Sequence, residues 1–446
     1  MFVSAFDLYR IGLGPSSAHT TGPMRAARRF VHSLEADGVF FQVRRIHVDL
    51  YGSVAYVGRD LGTDRAILAG LCGEAPDAVD PRALAARSAR IRAEGQLPLN
   101  GMERIPFDPA TDIVFHVDKA IANHGNAMRF TARNARGETL ATRLYFSIGE
   151  GEIVADGEAP GVRSSVRVPY DYATADDLLA QGQQHGKKIA EMTRTNELSL
   201  RSPGEVRAGL LHLAATMRGA VERGLATDDM LPGGQGRPRR AATQAAAISG
   251  TDHSLAAWAA VYATAVAEEN AGGGRVVAAP SNGSAGPVAA VLHQWHSTHP
   301  LAVDDGTVTF LLAASAVGNL LRANGLKQSG CQGEIGVASA MAAAGLAAVN
   351  SASNRQVLYA AERALEPFAG LTCDPVGGLV QDPCIARNAA AAAHAVESAR
   401  LALRLPDPPR IGLDVAVRSM VEKGQTMASR YKESSLGGLA INVVDC

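Results

Sequence analysis

Three of the five cysteines in this 446-residue chain stand in glycine- and proline-rich turns, and a fourth is its last residue. They are Cys331 in GCQGEIG, Cys373 in LTCDPVGG, Cys384 in QDPCIARN, and Cys446; only Cys72 falls outside the set. Cys373 and Cys384 are eleven positions apart, and Cys331 lies 42 residues upstream of Cys373. That is neither the compact run of a ferredoxin nor a paired zinc motif. The context says more than the spacing. Glycine and proline beside each thiol suit backbone that must approach a bulky inorganic group and offer N–H donors to its sulfides. Cys384 follows Pro383 at an expected helix start, where the helix dipole favours a thiolate. A terminal cysteine is weakly restrained and can reach a site that a rigid element cannot. The chemistry indicated is soft-ligand metal binding, an iron–sulfur cluster first. Three buried thiols packed as small hydrophobes, or a zinc site, are the other readings of the same residues.

The elements that must position these residues divide along the chain. Residues 1–170 read as a mixed α/β domain, with strands at Phe40–Tyr51, Asp112–Asp118 and Ala127–Arg133. A turn at Arg136-Gly137 leads into Leu140–Ile148 as a hairpin. Helices are expected at Arg25–Ala36 and Asp64–Leu71, and residues 171–200 form a helical connector. Residues 201–446 read as almost wholly helical, over Pro203–Arg223, Arg240–Glu269, Gly286–Gln294, Val308–Arg322, Ile335–Val349, Asn354–Glu366, Cys384–Leu403 and Val415–Arg430. The fold class is therefore α+β, with the unusual residues carried on loops of the helical part. Small residues are abundant and aromatics are 5%, so close helix packing is expected.

Charged residues are 20% and the net charge is -1, which gives no basic surplus for nucleic acid or an acidic membrane. The N-terminal MFVSAFDLYRIGLG has no basic segment followed by an apolar one, so no signal peptide is read there. Gly336–Val349 looks too short and too weakly apolar to span a bilayer. A cytoplasmic protein follows, and in that compartment clustered cysteines bind metal or do chemistry rather than form disulfides.

Other segments could hold a small polar substrate. GLGPSSAHTTGPM, residues 12–24, pairs glycines and hydroxyls ahead of a helix, with Pro23 suited to its first position and Thr21 or Gly22 to its cap. Ser16, Ser17 and Thr20 could hold a carboxylate there, and His19 could contact substrate or move a proton. As plain sequence, the loop also reads as an ordinary capped turn and His19 as a surface histidine.

Five segments together carry a resemblance. They are DLYRIGLGPSSAHTTGPM, ENAGGGRVVAAPSNGSAG, GCQGEIGVASAMAAAGL, EPFAGLTCDPVGGLVQDPCIARN and RYKESSLGGLAINVVDC, spread in order over residues 7–446. The chain resembles the iron–sulfur-dependent L-serine dehydratases (L-serine ammonia-lyases) of bacteria, in the single-chain form with a β-type region ahead of an α-type one. The resemblance implies a [4Fe–4S] cluster held by Cys331, Cys373 and Cys384, with its fourth iron open to substrate. Cys446 would take the open position in the resting enzyme. It also implies β-elimination of water from L-serine without pyridoxal phosphate; no lysine stands in a recognisable Schiff-base context. HGNAMRF, residues 124–130, is similar to the family's HPNxMRF segment, which makes His124 a catalytic candidate beside His19. Asn126, Arg129, Asn282 and Lys432 join Ser16, Ser17 and Thr20 as substrate-binding candidates. The family suggests a homodimer.

Two departures bear on activity. In VGRDLGTDRA, Leu61 stands where the family usually has histidine, a leading candidate for the base that takes the α-proton. The approach NGLKQSGCQ to Cys331 is also shorter than usual. Both leave room for another β-substituted amino acid as substrate, or for a non-catalytic metal-binding regulatory homologue.

Overall fold

The computed structural model describes residues 2–119, 121, 125–159, 166–251, 254–299, 303–325, 330–405, 411–432 and 437–443. The chain forms two compact units, one of residues 11–162 with 272–275, the other of residues 1–10, 163–271 and 276–446.

The first unit is a sheet with helices on one face. Its longer helices are α1 (Thr21–Ala36), α2 (Thr63–Leu71) and α3 (Pro81–Glu94), and its main strands are β1 (Arg45–Gly52), β2 (Gln96–Leu99), β3 (Glu103–Pro106), β4 (Ile113–His116), β5 (Asn126–Arg133), β6 (Thr139–Gly149) and β7 (Glu152–Ala155). Five strands form one sheet in the order β4-β1-β5-β6-β7. β4 runs parallel to β1 and the other neighbours are antiparallel. β2 and β3 make a separate hairpin. Alternation along β1 and β5 sends Ile46, Val48, Leu50, Met128, Phe130 and Ala132 into the core. There they meet Ala27, Phe30, Val31 and Leu34 of α1 and Ile67 and Leu68 of α2, and the rings of Phe30 and Phe130 stack 5.4 Å apart.

The second unit is helical. Its main helices are α4 (Ala175–His185), α5 (Ile189–Glu197), α6 (Pro203–Leu225), α7 (Ala241–Ile248), α8 (Leu255–Ala271), α9 (Gly286–Thr298), α10 (Val303–Ala323), α11 (Val337–Val349), α12 (Asn354–Leu365), α13 (Cys384–Arg404) and α14 (Leu413–Thr426). α11 is buried along its whole length from Val337 to Ala347, as its run of small apolar residues requires. Close packing is visible where α6 meets α8: a Cβ on Gly224 would stand 2.1 Å from the Ala265 carbonyl oxygen. Ser4 and Ala5 are fastened to this unit by the buried Glu197 carboxylate, which accepts from Ser4 Oγ at 2.8 Å and from the Ala5 N–H at 2.6 Å.

The α+β class holds, and several boundaries move. Phe40–Gln42 is a 3-10 turn and the strand starts at Arg45. The long helix expected over Arg240–Glu269 is two, because Gly250 adopts φ +76 and ends the first. The helix expected to reach Arg430 stops at Thr426 and is followed by a separate 3-10 turn, Ser429–Tyr431. α1 starts at Thr21, so Pro23 is its third residue, where its missing N–H still costs nothing. α11 is preceded by a π-helical turn, Gln332–Gly336, which lengthens the apolar run beyond the sequence reading. Gln332–Val349 and Asp304–Ala323 are long and apolar enough to cross a bilayer by length and composition; 83% of each is buried inside the fold.

Candidate active site

The cysteines come from three separate segments of the helical unit. Cys331 directly precedes the π-helical turn, Cys373 lies in the loop after Glu366–Phe368, and Cys384 opens α13. All three are buried, and none is in a disulfide. Cys331 and Cys373 share one buried cluster with Ile335 and Ala391. A Cβ on Gly330 would come within 3.2 Å of Cys373 Cβ. Arg387, one turn into α13 from Cys384, gathers the set: it reaches the Cys331 thiol and donates to the Thr372 carbonyl at 2.7 Å and to Asp374 Oδ1 at 3.0 Å. Cys72 belongs to the other unit, packed against the core under the sheet.

The electrostatics correct one expectation. Burial pushes the Cys384 thiol up to about 12, with Cys373 and Glu334 adding to it, so the helix start does not by itself make a thiolate there. Such a group ionises only against compensating positive charge, which Arg387 supplies in part and bound iron would complete. Three thiols on separate segments, a cation against them and glycine-rich backbone alongside fit a cluster whose irons each take one protein thiolate. Among the described residues no three His, Cys, Asp or Glu are disposed to hold a single metal ion.

The loop between residues 281 and 286 is bound to this centre. Asn388, one turn beyond Cys384, donates Nδ2 to the carbonyls of Cys384 at 2.9 Å and Gly283 at 2.8 Å, and its Oδ1 accepts from the Gly286 N–H at 3.0 Å. Asn282 is buried beside it and donates to Asn270 Oδ1 at 3.4 Å. Lys432 follows Tyr431, whose carbonyl accepts from the Cys373 N–H at 2.8 Å. The tail is pinned at the same place. The buried Asp374 accepts from Thr372 Oγ1 at 3.0 Å through Oδ1 and from the Leu439 N–H at 2.8 Å through Oδ2. Gly438 packs so tightly there, at φ +60, that a Cβ would meet Asp374 Oδ2 at 2.0 Å. Burial pushes the Asp374 carboxyl up, but the hydrogen bonds from Leu439, Arg387 and Thr372 outweigh it and hold it low. Cys446 lies outside the described residues, as do residues 326–329 of the shortened approach.

In the mixed unit His19 sits between two hydroxyls, Ser16 Oγ at 2.9 Å from Nδ1 and Ser53 Oγ at 2.8 Å from Nε2. Burial lowers its pKa to about 4, so the ring is neutral near pH 7. Its carbonyl accepts from Thr63 Oγ1 at 2.7 Å, two residues after the buried Leu61. Thr20 turns its hydroxyl back on the loop, to the carbonyls of Leu13 at 2.7 Å and Ser16 at 2.8 Å, and so does not cap α1. Ser17 accepts the Gly22 N–H through its carbonyl at 2.8 Å. Ser53 donates its N–H to the Gly125 carbonyl at 2.8 Å, which brings its turn beside Asn126. Ala127 pairs with Phe146, so Asn126 and Ser147 follow as the next residues of their strands. Asn126 Oδ1 and Ser147 Oγ are both buried without a hydrogen-bond partner among the described residues. Alternation parts Arg129 from them: it lies on the opposite face of the sheet, donating to the Tyr51 hydroxyl at 3.2 Å. His124 lies outside the described residues.

Sequence reasoning missed Arg387, Asn388, Asp374, Ser53 and Ser147. The first two were within reach, since positions three and four after Cys384 share its helix face.

Two family models match in succession: the serine dehydratase beta chain over residues 4–158 and the serine dehydratase alpha chain over residues 184–440. An L-serine dehydratase of Streptomyces coelicolor is 43% identical over 100% of both chains, and L-serine dehydratase 2 of Escherichia coli is 42% identical, again over 100% of both. An L-serine dehydratase of Mycobacterium tuberculosis is 43% identical over 99% of this chain and 98% of its own. With both models met in order in one polypeptide, the chain belongs to the iron–sulfur-dependent serine dehydratase family, in its single-chain bacterial form.

Proposed function

We propose that this protein is an L-serine ammonia-lyase working with a [4Fe–4S] cluster held by Cys331, Cys373 and Cys384, with Cys446 as a fourth, displaceable ligand. The observation that carries the reading is that Cys331 and Cys373 share one buried cluster, with Arg387 against the Cys331 thiol and the buried Cys384 near enough to feel both Cys373 and Arg387. The full-length relatives support it.

The reaction breaks the Cα–H and Cβ–O bonds of serine and releases water. The aminoacrylate product tautomerises to an imine, and water converts that to pyruvate and ammonia. When bound, an iron with an open position supplies Lewis acidity toward the poor leaving hydroxyl, worth on the order of several kcal/mol. The chain's own residues do the rest. Arg387 holds the thiol environment positive, and Asn388 keeps the Asn282 loop against the first turn of α13, so that Asn282 can orient a polar substrate. His19, neutral near pH 7 with Ser16 fixing one ring nitrogen, is the base we assign to the α-proton now that Leu61 occupies the usual histidine position. Ser16 and Ser17 bind the carboxylate, while Asn126 and Ser147 offer polar atoms that lack partners among the described residues. Pyridoxal phosphate takes no part in this scheme, and the working form is a cytoplasmic homodimer.

The test is anaerobic purification, a visible spectrum, and pyruvate release from a panel of amino acids. Broad absorbance near the iron–sulfur region and pyruvate from L-serine are expected. A colourless protein, or one releasing a keto acid from another β-substituted amino acid only, overturns the assignment; Leu61 is the feature that would favour a changed substrate.

A further inference from the structure

On the face of the sheet turned away from α1, the end at Arg45 and Arg133 carries a basic hollow that the lyase reading does not use. The alternation that buries Ile46, Val48, Phe130 and Ala132 turns Arg45, His47, Thr131 and Arg133 the other way. Arg45 and Arg133 are direct partners in the antiparallel register of β1 and β5, and His47 and Thr131 are partners two positions along. Thr111 joins them from the single helical turn Pro109–Asp112 that leads into β4. These five residues line a cavity of about 370 Å³, and none of the five is a carboxylate.

Like charges directly opposite on a sheet repel each other. Here one negative charge answers two. The buried Asp112 accepts from Nε and Nη2 of Arg45 through Oδ1, at 3.0 and 2.9 Å, and its Oδ2 accepts the Asp108 N–H at 2.9 Å. Asp112 thus fixes the Arg45 guanidinium without neutralising Arg133. His47 Nε2 stands 3.4 Å from Asp49 Oδ1, Thr111 Oγ1 donates to Asp108 and Thr131 Oγ1 lies 3.5 Å from Thr142 Oγ1, so the donors left for a ligand are chiefly the Arg133 guanidinium and the Nη1 side of Arg45. Planar forks match the oxygens of tetrahedral anions and can give two parallel hydrogen bonds each. We propose that this hollow is a binding site for a small phosphate-type oxyanion, either free phosphate or a phosphomonoester. It lies on the face of the sheet opposite Asn126, so its occupant is neither the substrate nor a competitor for the residues assigned to it.

The test is isothermal titration of the full-length protein at constant ionic strength with inorganic phosphate and, separately, with phosphoserine. Saturable binding at one site per chain is expected for at least one probe. Phosphate alone identifies the free anion as the ligand; phosphoserine, alone or in addition, identifies a monoester. Arg133→Ser should weaken binding by tenfold or more, and Thr131→Val by a smaller factor. Arg44→Ser, a neighbouring exposed arginine outside the hollow, should leave it unchanged. Melting curves without anion verify that the variants fold. No saturable binding with either probe, or equal weakening by Arg44→Ser and Arg133→Ser, overturns the proposal, since general surface charge would then account for the signal.

Discussion

Replacing Asp374 by asparagine should release the tail while leaving the helical unit folded. Its two oxygens have different work: Oδ1 serves Thr372 and Arg387, and Oδ2 serves the Leu439 N–H. An asparagine that keeps its oxygen toward Thr372 and Arg387 turns an NH₂ group onto the Leu439 N–H, donor against donor. The tail then loses one hydrogen bond to a charged acceptor, worth about 1.5–3 kcal/mol. Since 1.4 kcal/mol is tenfold in an equilibrium constant, about 2 kcal/mol opens the segment around Leu439 some thirtyfold more often. Hydrogen exchange read on the C-terminal peptide measures this directly. The Leu439 amide should exchange roughly thirtyfold faster in Asp374→Asn, with the α8 amides unchanged. A freer tail also lowers the effective concentration of Cys446, so the lag before steady pyruvate release should shorten. An unchanged Leu439 exchange rate would refute the reasoning, because Asp374 would then not be the anchor. Global unfolding of the variant would refute it too, by making Asp374 a residue of the core.

The remaining expectations are simpler. Cys331→Ser, Cys373→Ser and Cys384→Ser should each abolish the brown colour of anaerobically prepared protein, whereas Cys72→Ser keeps it; colour retained in any of the first three removes that residue from the ligand set. Cys446→Ser should keep the cluster, shorten the lag and raise sensitivity to oxygen, as followed by the decay of visible absorbance in air; a colourless variant would make Cys446 an obligatory ligand. His19 has a folded-state pKa of about 4 against an unfolded value near 6.5, so the folded state binds fewer protons between those values. Its contribution is fully present above pH 6.5 and is lost as the pH falls through 4, on the order of 3 kcal/mol in all. Urea midpoints from pH 7 to 4 should therefore fall less steeply in His19→Gln, and parallel slopes in the two proteins would contradict the shift.

Legibility from sequence followed how local each signal was. The β5–β6 hairpin was readable because Gly137 supplies the positive φ its turn needs. The β2–β3 hairpin carries a comparable signal in Asn100-Gly101, and α3 is bracketed by Asp80, Pro81 and Gly95; both went unread for want of a strong apolar period around them. The split between α7 and α8 was overrun because alanines on either side of Gly250 continue a helical pattern that a single left-handed residue interrupts. In the candidate site, no periodicity relates Cys331 to Cys373 and Cys384; their shared glycine- and proline-rich context suggested one metal site, and the resemblance made the ligand set specific. Asp374 and Ser53 escaped because their partners, Leu439 and His19, are distant in sequence, and a tertiary hydrogen bond leaves no spacing to read.

Asn388 has a mechanical consequence. With its amide held by Cys384, Gly283 and Gly286 at once, the first turn of α13 and the loop bearing Asn282 have no independent hinge between them. Neither can swing away without stranding buried donors and acceptors of the other. The cysteine and the substrate loop therefore open and close as a single cooperative block. A thermal fluctuation that exposes one exposes both, so under the proposed function the lifetime in air of a cluster held at Cys384 would follow the lifetime of that block's closed state.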